Sequence, residues 1–260
     1  MRFQLVAARA AFAALVLGAL LAAIAVAGVR LGGFPYATGL TLMWPAAIIG
    51  IVALLLALWW AKQAVGSNTG VGKRLGLVAL LGSLAFLYSP LTSFYYGLTM
   101  PAIHDAATDP DQPPQFVALA KQRLPGENSL VFDGQRKIRY QGEEVTTAYA
   151  LHLYKNGLIT HPHPRLLPNA VDPAATVFWH CFESVKALGW TIVDYNAKEG
   201  RIEAIAKSPW FGLTSDIVIR VRRAGTMAAR AEARAESRVG EIDHGFNIFL
   251  LRDFKAKAGI

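Results

Sequence analysis

Three stretches of this chain run for a bilayer's thickness without an ionisable side chain, and nothing else in it limits the fold so strongly. Ala10 to Val29 reads AAFAALVLGALLAAIAVAGV; at about 1.5 Å per residue such a helix reaches roughly 30 Å, one hydrocarbon core. Leu31 to Ala61 is again uncharged, and LTLMWPAAIIGIVALLLALWWA within it is the second span. Leu75 to Leu98, LGLVALLGSLAFLYSPLTSFYYGL, is the third. Pro90 predicts a kink there, which membrane helices tolerate when a neighbour satisfies the freed carbonyl. Trp44, Trp59, Trp60, Tyr95 and Tyr96 fall near the expected ends, where aromatic rings favour the headgroup layer.

Charge divides the chain in the same place. Before His104 there are six cations and no acid, a net +6. From His104 onward 20 Lys and Arg face 18 Asp and Glu, leaving +2. The overall +8 therefore belongs to the membrane part and does not imply a nucleic-acid partner. Arg2 and Arg9 precede span one, Lys62, Lys73 and Arg74 separate spans two and three, and Arg30 alone separates spans one and two. The positive-inside bias places the N-terminus in the cytoplasm and the C-terminal part outside, which in a bacterial inner membrane is the periplasm. The first apolar run is longer than a signal peptide's core, and cleavage there would leave the C-terminal part on the same side. No ionisable residue lies within the spans after Arg30 and after Arg74, so the spans read as an anchor rather than an ion path. Ala10, Ala14, Gly18 and Ala22 repeat every four residues and predict close packing against span two or three.

The expected organisation is a three-span anchor over 1–98, an extended membrane-exit segment over 99–126 and an α+β domain over 127–260. The exit segment, MPAIHDAATDPDQPPQF, is rich in Pro and Asp, and Phe116 to Leu124 predicts a short helix. Residues 127 to 170 are the least legible, with short strands expected around KIRYQ and YALHLY. Asp172 is an N-cap candidate, Pro173 suits the first turn, and Gly189 ends the pattern. Val177, Phe178, Cys181, Val185 and Leu188 share one face of that helix. Cys181 is the only cysteine, so it reads as a buried apolar residue; no intramolecular disulfide or four-ligand zinc site is available. WTIVDY, RIEAIAK and DIVIRVR follow as strands.

ARAEARAESR, residues 229 to 238, has helix-forming composition but a two-residue period. As a helix it would stack Arg230, Arg234 and Arg238 on one another and bury only Ala. As a strand, Ala and Ser line one face while Arg and Glu alternate on the other, facing water or a neighbouring strand's charges. Strand is the reading the spacing supports. A last helix, capped by Asp243, presents Phe246, Phe249, Leu250 and Phe254. The expected domain is helix, four-stranded antiparallel sheet, helix.

IHDAATDPDQPPQF, SPWFGL followed by DIVIRVR, and ESRVGEIDHGFN resemble the signatures of the domain of unknown function 1499 family. Its bacterial members often join three N-terminal spans to such a domain, and the resemblance covers essentially the whole chain. It implies an architecture but carries no established activity. The matching positions are His104, Asp105, Thr108 and Asp109, then Trp210, Phe211 and Gly212, and finally Ser237, Arg238, Val239, Gly240, Asp243, Gly245 and Asn247. Leu250-Leu251 stands where the family has a further Arg, and Ala233 and Ala235 stand where it has larger or more polar residues.

Candidate binding residues are therefore His104, Asp105, Asp109, Trp210, Phe211, Arg238, Asp243 and Asn247. His104 and Asp105 have the side chains for headgroup binding, pairing with Arg238 or acid–base work. Trp210 and Phe211 suit a sheet corner or the lipid interface. Ser237, Asp243 and His244 are the residue types of nucleophilic catalysis without a nucleophile elbow. His161 and His163 are two apart in a Pro-bounded segment with no evident third ligand, and His180 reads as a partly buried helix residue. No metal or cofactor is implied. The expected function is a non-catalytic binding or scaffold module that contacts the bilayer and an envelope protein or lipid. The competing reading is a membrane-proximal enzyme using His104, Asp105 and Arg238, which requires those three side chains to converge.

Overall fold

The structure, a computed structural model, describes residues 2–65, 72–154, 165–166 (backbone only) and 170–259. It forms two compact units, Met1–Tyr95 and Tyr96–Ile260.

The first unit is built from three long helices, α1 (Arg2–Arg30), α2 (Tyr36–Ala64) and α3 (Lys73–Thr99), whose last residues belong to the second unit. All three are long and apolar enough to cross a membrane. Pro45 and Pro90 lie inside continuous helices. The packing is inside out relative to a water-soluble bundle. Buried positions are small: Ala7, Ala8, Ala11 and Ala25 on α1, Ala46, Gly50, Ala53 and Ala57 on α2, Gly76 and Ala79 on α3. Large side chains such as Leu17, Ile24, Ile48, Leu55, Leu81 and Leu84 point outward. Lipid tails are as apolar as Leu, so only close backbone approach rewards association, and small residues belong at the contact. The expected α1 stripe is shifted. Ala11, Gly18 and Ala25 are buried while Ala10 is exposed, because a seven-residue repeat follows a neighbouring helix better than a four-residue one. Trp60, near the end of α2, is 4% exposed. It fills the space over Gly76, where an added Cβ would lie 2.2 Å from its indole.

The second unit opens with β1 (Asp105–Ala107) and a single 3-10 turn (Leu119–Gln122), the residue of the helix expected at 116–124. A hairpin of β2 (Lys137–Tyr140) and β3 (Glu143–Thr146) leads into α4 (Thr147–Leu153). The strand expected at YALHLY is thus a helix: the Thr146 hydroxyl accepts from the Tyr149 N–H, and Thr147, Ala150 and Leu151 are buried at helical spacing. Two residues form β4 (Arg165–Leu166), which pairs with the last strand. Then come α5 (Pro173–Ala187), β5 (Thr191–Asn196), β6 (Arg201–Lys207), β7 (Thr214–Arg223), β8 (Ala228–Ser237) and α6 (Phe246–Ala258).

Antiparallel pairing gives the order β1-β8-β7-β6-β5. The expected four-stranded meander is present, and the exit segment adds a fifth strand beside β8. Asp172 caps α5, accepting from the N–H groups of Ala174 and Ala175. Val177, Phe178, Cys181 and Val185 are buried, while His180, expected to be partly buried, is exposed one turn away. The β5–β6 turn needs Gly200: its φ is +68°, and a Cβ there would sit 2.1 Å from the Val221 carbonyl oxygen.

The core lies between one sheet face and the two long helices. Ile202, Ala204, Ile217, Ile219, Val221 and alanines 229, 231, 233 and 235 meet Phe178, Cys181, Val185, Ile248, Leu251 and Phe254. Each large apolar side chain so buried contributes about 1.5–3 kcal/mol. The small Ala row lets α5 and α6 approach β8. On α6, Ile248 and Leu251 are fully buried and Phe246 and Phe249 only partly, so the buried stripe is rotated from the expected one.

Gly76→Leu forces branched carbon atoms into the Trp60 indole and should lower the apparent stability of the bundle by about 1–3 kcal/mol. Leu81→Ala, at a 63% exposed position, should leave it nearly unchanged. Thermal unfolding of both variants in detergent micelles reads the contrast.

Candidate functional site

The charged row of β8 does not face water. Glu232, Arg234 and Glu236 are each 0% exposed, covered by the strap of residues 108–136 on the sheet face opposite the helices. Strand alternation puts Asp216, Val218 and Arg220 of β7 on this same face, opposite Glu236, Arg234 and Glu232. Asp105 of β1 lies opposite Glu236 on its other side. Three carboxylates, Asp105, Glu236 and Asp216, therefore sit side by side across three adjacent strands. Such neighbours repel unless cations intervene.

Three guanidinium groups do so. Arg234 grips Asp105 with two bonds, Nε to Oδ1 at 2.9 Å and Nη2 to Oδ2 at 2.7 Å. Arg238 donates from Nε to Asp216 Oδ1 at 2.8 Å and lies 3.8 Å from Glu127. Arg123, from the strap, stands 3.0 Å from Asp216 and 3.3 Å from Glu236. No described residue donates a hydrogen bond to either oxygen of Glu236. Burial, then the neighbouring Asp105, pushes its carboxyl up to about 8. Burial likewise raises Asp105 and Asp216 against the pull of their Arg partners.

The strap is tied to the sheet at further points. Glu203 of β6, 0% exposed, accepts from the N–H groups of Val117 and Ala118 through Oε1 and of Leu119 through Oε2, at 2.7–3.0 Å. A buried carboxylate thus satisfies the free amides that open the 3-10 turn. Arg201 pairs with Glu203 and, at 2.7 Å, with Asp194. Asn128 donates from Nδ2 to the carbonyls of Ser237 and Gly240. Phe116 and Phe132 lay their rings over the Arg234 guanidinium at 5.1 and 5.4 Å.

Outside this layer the strap encloses an open cleft of about 610 Å³, within the range of small-ligand sites. Pro110, Asp111, Gln115 and Phe116 line one part of it and Val131, Phe132 and Gln135 another. Among the described residues its only charged lining residue is Asp111, which has His152 at 3.5 Å.

The residues singled out from sequence are mostly gathered here in structural pairs. His104 contributes its backbone: its carbonyl accepts from the Ser237 N–H at 2.9 Å and from Asn247 Nδ2 at 2.6 Å, while its ring Nδ1 lies 3.2 Å from the Glu241 carbonyl. Asp105 pairs with Arg234 rather than with Arg238. Asp109 is buried and accepts from the Gln112 N–H at 3.0 Å, with Arg222 at 3.9 Å. Asp243 is not the N-cap of α6; Gly245, with φ +81°, occupies that position. Asp243 instead accepts from the Gly245 and Asn247 N–H groups, and burial pushes its carboxyl up to about 6. Ser237 bonds to Ser215 and Asn247, and no described bond joins it to His244. Trp210 and Phe211 lie at the β6–β7 turn, Trp210 58% exposed and Phe211 half-buried.

The cavity beside His104 and Asp105 measures about 30 Å³, room for about one water, and Arg238 does not line it. His104, Asp105 and Arg238 thus do not converge on a cleft. No group of three or more His, Cys, Asp or Glu able to hold a metal occurs among the described residues. His161 and His163 lie outside them.

Arg123, Glu203, Asp216, Arg234 and Glu236 were missed by sequence reasoning. The available signal was the strict alternation of β8, whose all-alanine face demanded a helix cover and left every charge on the other side.

Three membrane-spanning helices joined to a unit whose main sheet runs β1-β8-β7-β6-β5, with two long helices on one face and a charge-pinned strap on the other, define a membrane-anchored α+β protein. Residues 105–257 match the family described as Protein of unknown function (DUF1499), and the chain belongs to that family. No curated protein matches it.

Asn247→Ala removes a fully buried amide that holds the His104 carbonyl and the Ser237 hydroxyl. It should cost about 2–3 kcal/mol, whereas His104→Ala, which keeps that carbonyl, should cost under about 1 kcal/mol. Unfolding of the full chain in detergent compares the two, and equal losses would show that the imidazole matters as much as the backbone.

Proposed function

We propose that this protein is a non-catalytic binding module, anchored in a bacterial inner membrane with its C-terminal unit on the periplasmic side, whose ligand is a segment of an envelope protein. The cleft carries the reading. Asp105, Arg238 and Asp243 are held in ion pairs and backbone hydrogen bonds, while Asp111, Gln115, Val131 and Gln135 line the cleft and are exposed. Two amides match peptide hydrogen bonding, and Phe116, Leu130 and Phe132 offer apolar surface. Among the described lining residues, one carboxylate and no Lys or Arg favours a neutral or basic segment over the phosphate of a lipid headgroup. The placement outside rests on Arg2, Arg9, Lys62, Lys73 and Arg74 against Arg30 alone.

A photo-crosslinking residue replacing Val131, which is 77% exposed in the cleft lining, should yield one adduct of defined mass in intact cells. The same residue at Lys198, in the exposed β5–β6 turn, should yield none. Equal adduct patterns at both positions would remove the cleft as the binding site. Separately, a reporter that is active only in the cytoplasm, fused after Ile260, should stay silent; activity there reverses the orientation.

A further inference from the structure

We propose that the row Asp105–Glu236–Asp216 carries a proton that holds the strap shut, so that the cleft is tight in acid and loosens as the pH rises; this rests on the cleft being the binding site. The geometry is a charge count. Among the described residues, Glu236 faces Asp105 from β1, Asp216 from β7, Arg234 from β8 and Arg123 from the strap, and Arg238, just past β8, joins Asp216 to Glu127 of the strap. His104 and Asp243 lie beyond Asp105 and act on it rather than on Glu236. Four carboxylates thus meet three guanidinium groups. With the Glu236 carboxyl neutral the cluster balances, and with it ionised one buried negative charge is left over.

Within the row of three, Glu236 also has the weakest grip. Asp105 and Asp216 each accept a direct Arg hydrogen bond at 2.8–2.9 Å or closer, whereas the nearest cations to Glu236 stand at 3.3 and 3.6 Å. The proton therefore belongs on Glu236. When it leaves to solvent, hydrating the bare carboxylate requires the strap to lift.

The same cations connect the row to the cleft. Arg123 Nη1 donates to the Asn128 carbonyl at 3.0 Å, and Arg234 Nη2 donates to the Leu130 carbonyl at 2.9 Å. Leu130, Phe116 and Phe132 line the cleft, and both rings rest on Arg234. Pulling Arg123 or Arg234 toward an ionised Glu236 disturbs the wall directly.

The direction follows from linkage. A carboxyl near 8 in the closed state, against 4.5 when solvated, stabilises closure fully below about pH 4.5. That stabilisation is lost progressively as the pH rises through about 8, then levels off. Between those limits the opening equilibrium grows about tenfold per pH unit.

Hydrogen exchange of the full chain in detergent, at about pH 5.5, 6.5 and 7.5 and corrected for intrinsic rates, tests this. Protection of residues 117–134 should fall roughly tenfold per pH unit, while α5 stays constant. In Glu236→Gln the strap should remain protected at every pH. A flat wild-type series overturns the proposal without needing any variant. An unchanged slope in Glu236→Gln also overturns it, as does equal loss across α5, β5 and β6. No ligand enters this experiment, so its failure leaves the cleft reading standing. Loss of the Val131 adduct, conversely, says nothing against the proton.

Discussion

Strand β8 has to satisfy two incompatible neighbours at once. One face carries only Ala until Ser237, which allows α5 and α6 to settle against the sheet around Phe178, Ile248 and Phe254. The other face carries Arg230, Glu232, Arg234 and Glu236, which water would normally solvate, yet three of the four are fully buried. Burying charges at this density is tolerable only if counter-ions arrive from elsewhere in the chain. Asp105 of β1 supplies one to Arg234, Arg220 and Arg222 of β7 supply two to Glu232, and Arg123 of the strap supplies one to Glu236. The order of the edge strand, the path of the strap and the placing of Phe116 and Phe132 all follow from that requirement.

Such a layer is weak evidence for stability, because well-packed apolar residues of similar volume often do as well or better. What it supplies is alignment. Shifting β1 by one residue along β8 would turn Asp105 away from Arg234 and set Ala106 on the charged face. Glu203 ties the strap to β6, since its two oxygens accept from three consecutive amides, Val117 to Leu119. A segment with little regular structure is thereby held in one place, and the cleft it encloses is a shaped surface.

Solvent explains the contrast between the two units. In the first, Leu and Ile face outward and Ala and Gly meet inside, because lipid rewards close backbone contact rather than burial of large side chains. In the second, Phe, Ile and Leu are buried and charges that remain inside are paired. One chain follows both rules, and the acid-free composition before His104 marks where the first applies.

Much of this was legible in advance where the physics is local. Span lengths, the Asp172 cap, the Ile217, Ile219 and Val221 alternation and the strand identity of residues 228–237 need only a period and a solvent. The helix at 147–153 was missed because its Thr146 cap and short apolar spacing mimic a strand over so few residues. The candidate site was half visible. His104, Asp105, Arg238, Asp243 and Asn247 were identified as special, but their partners were not, because Arg234 lies 129 positions from Asp105 and Glu203 lies 84 from Leu119. By itself the sequence determined which segments are apolar, which alternate and where helices begin, since each depends on neighbours within a turn or two. Only the tertiary structure decided that the charged face of β8 is covered and which carboxylate lacks a full counter-ion. Charge pairing acts through space, and its outcome exists only once distant strands have set their register.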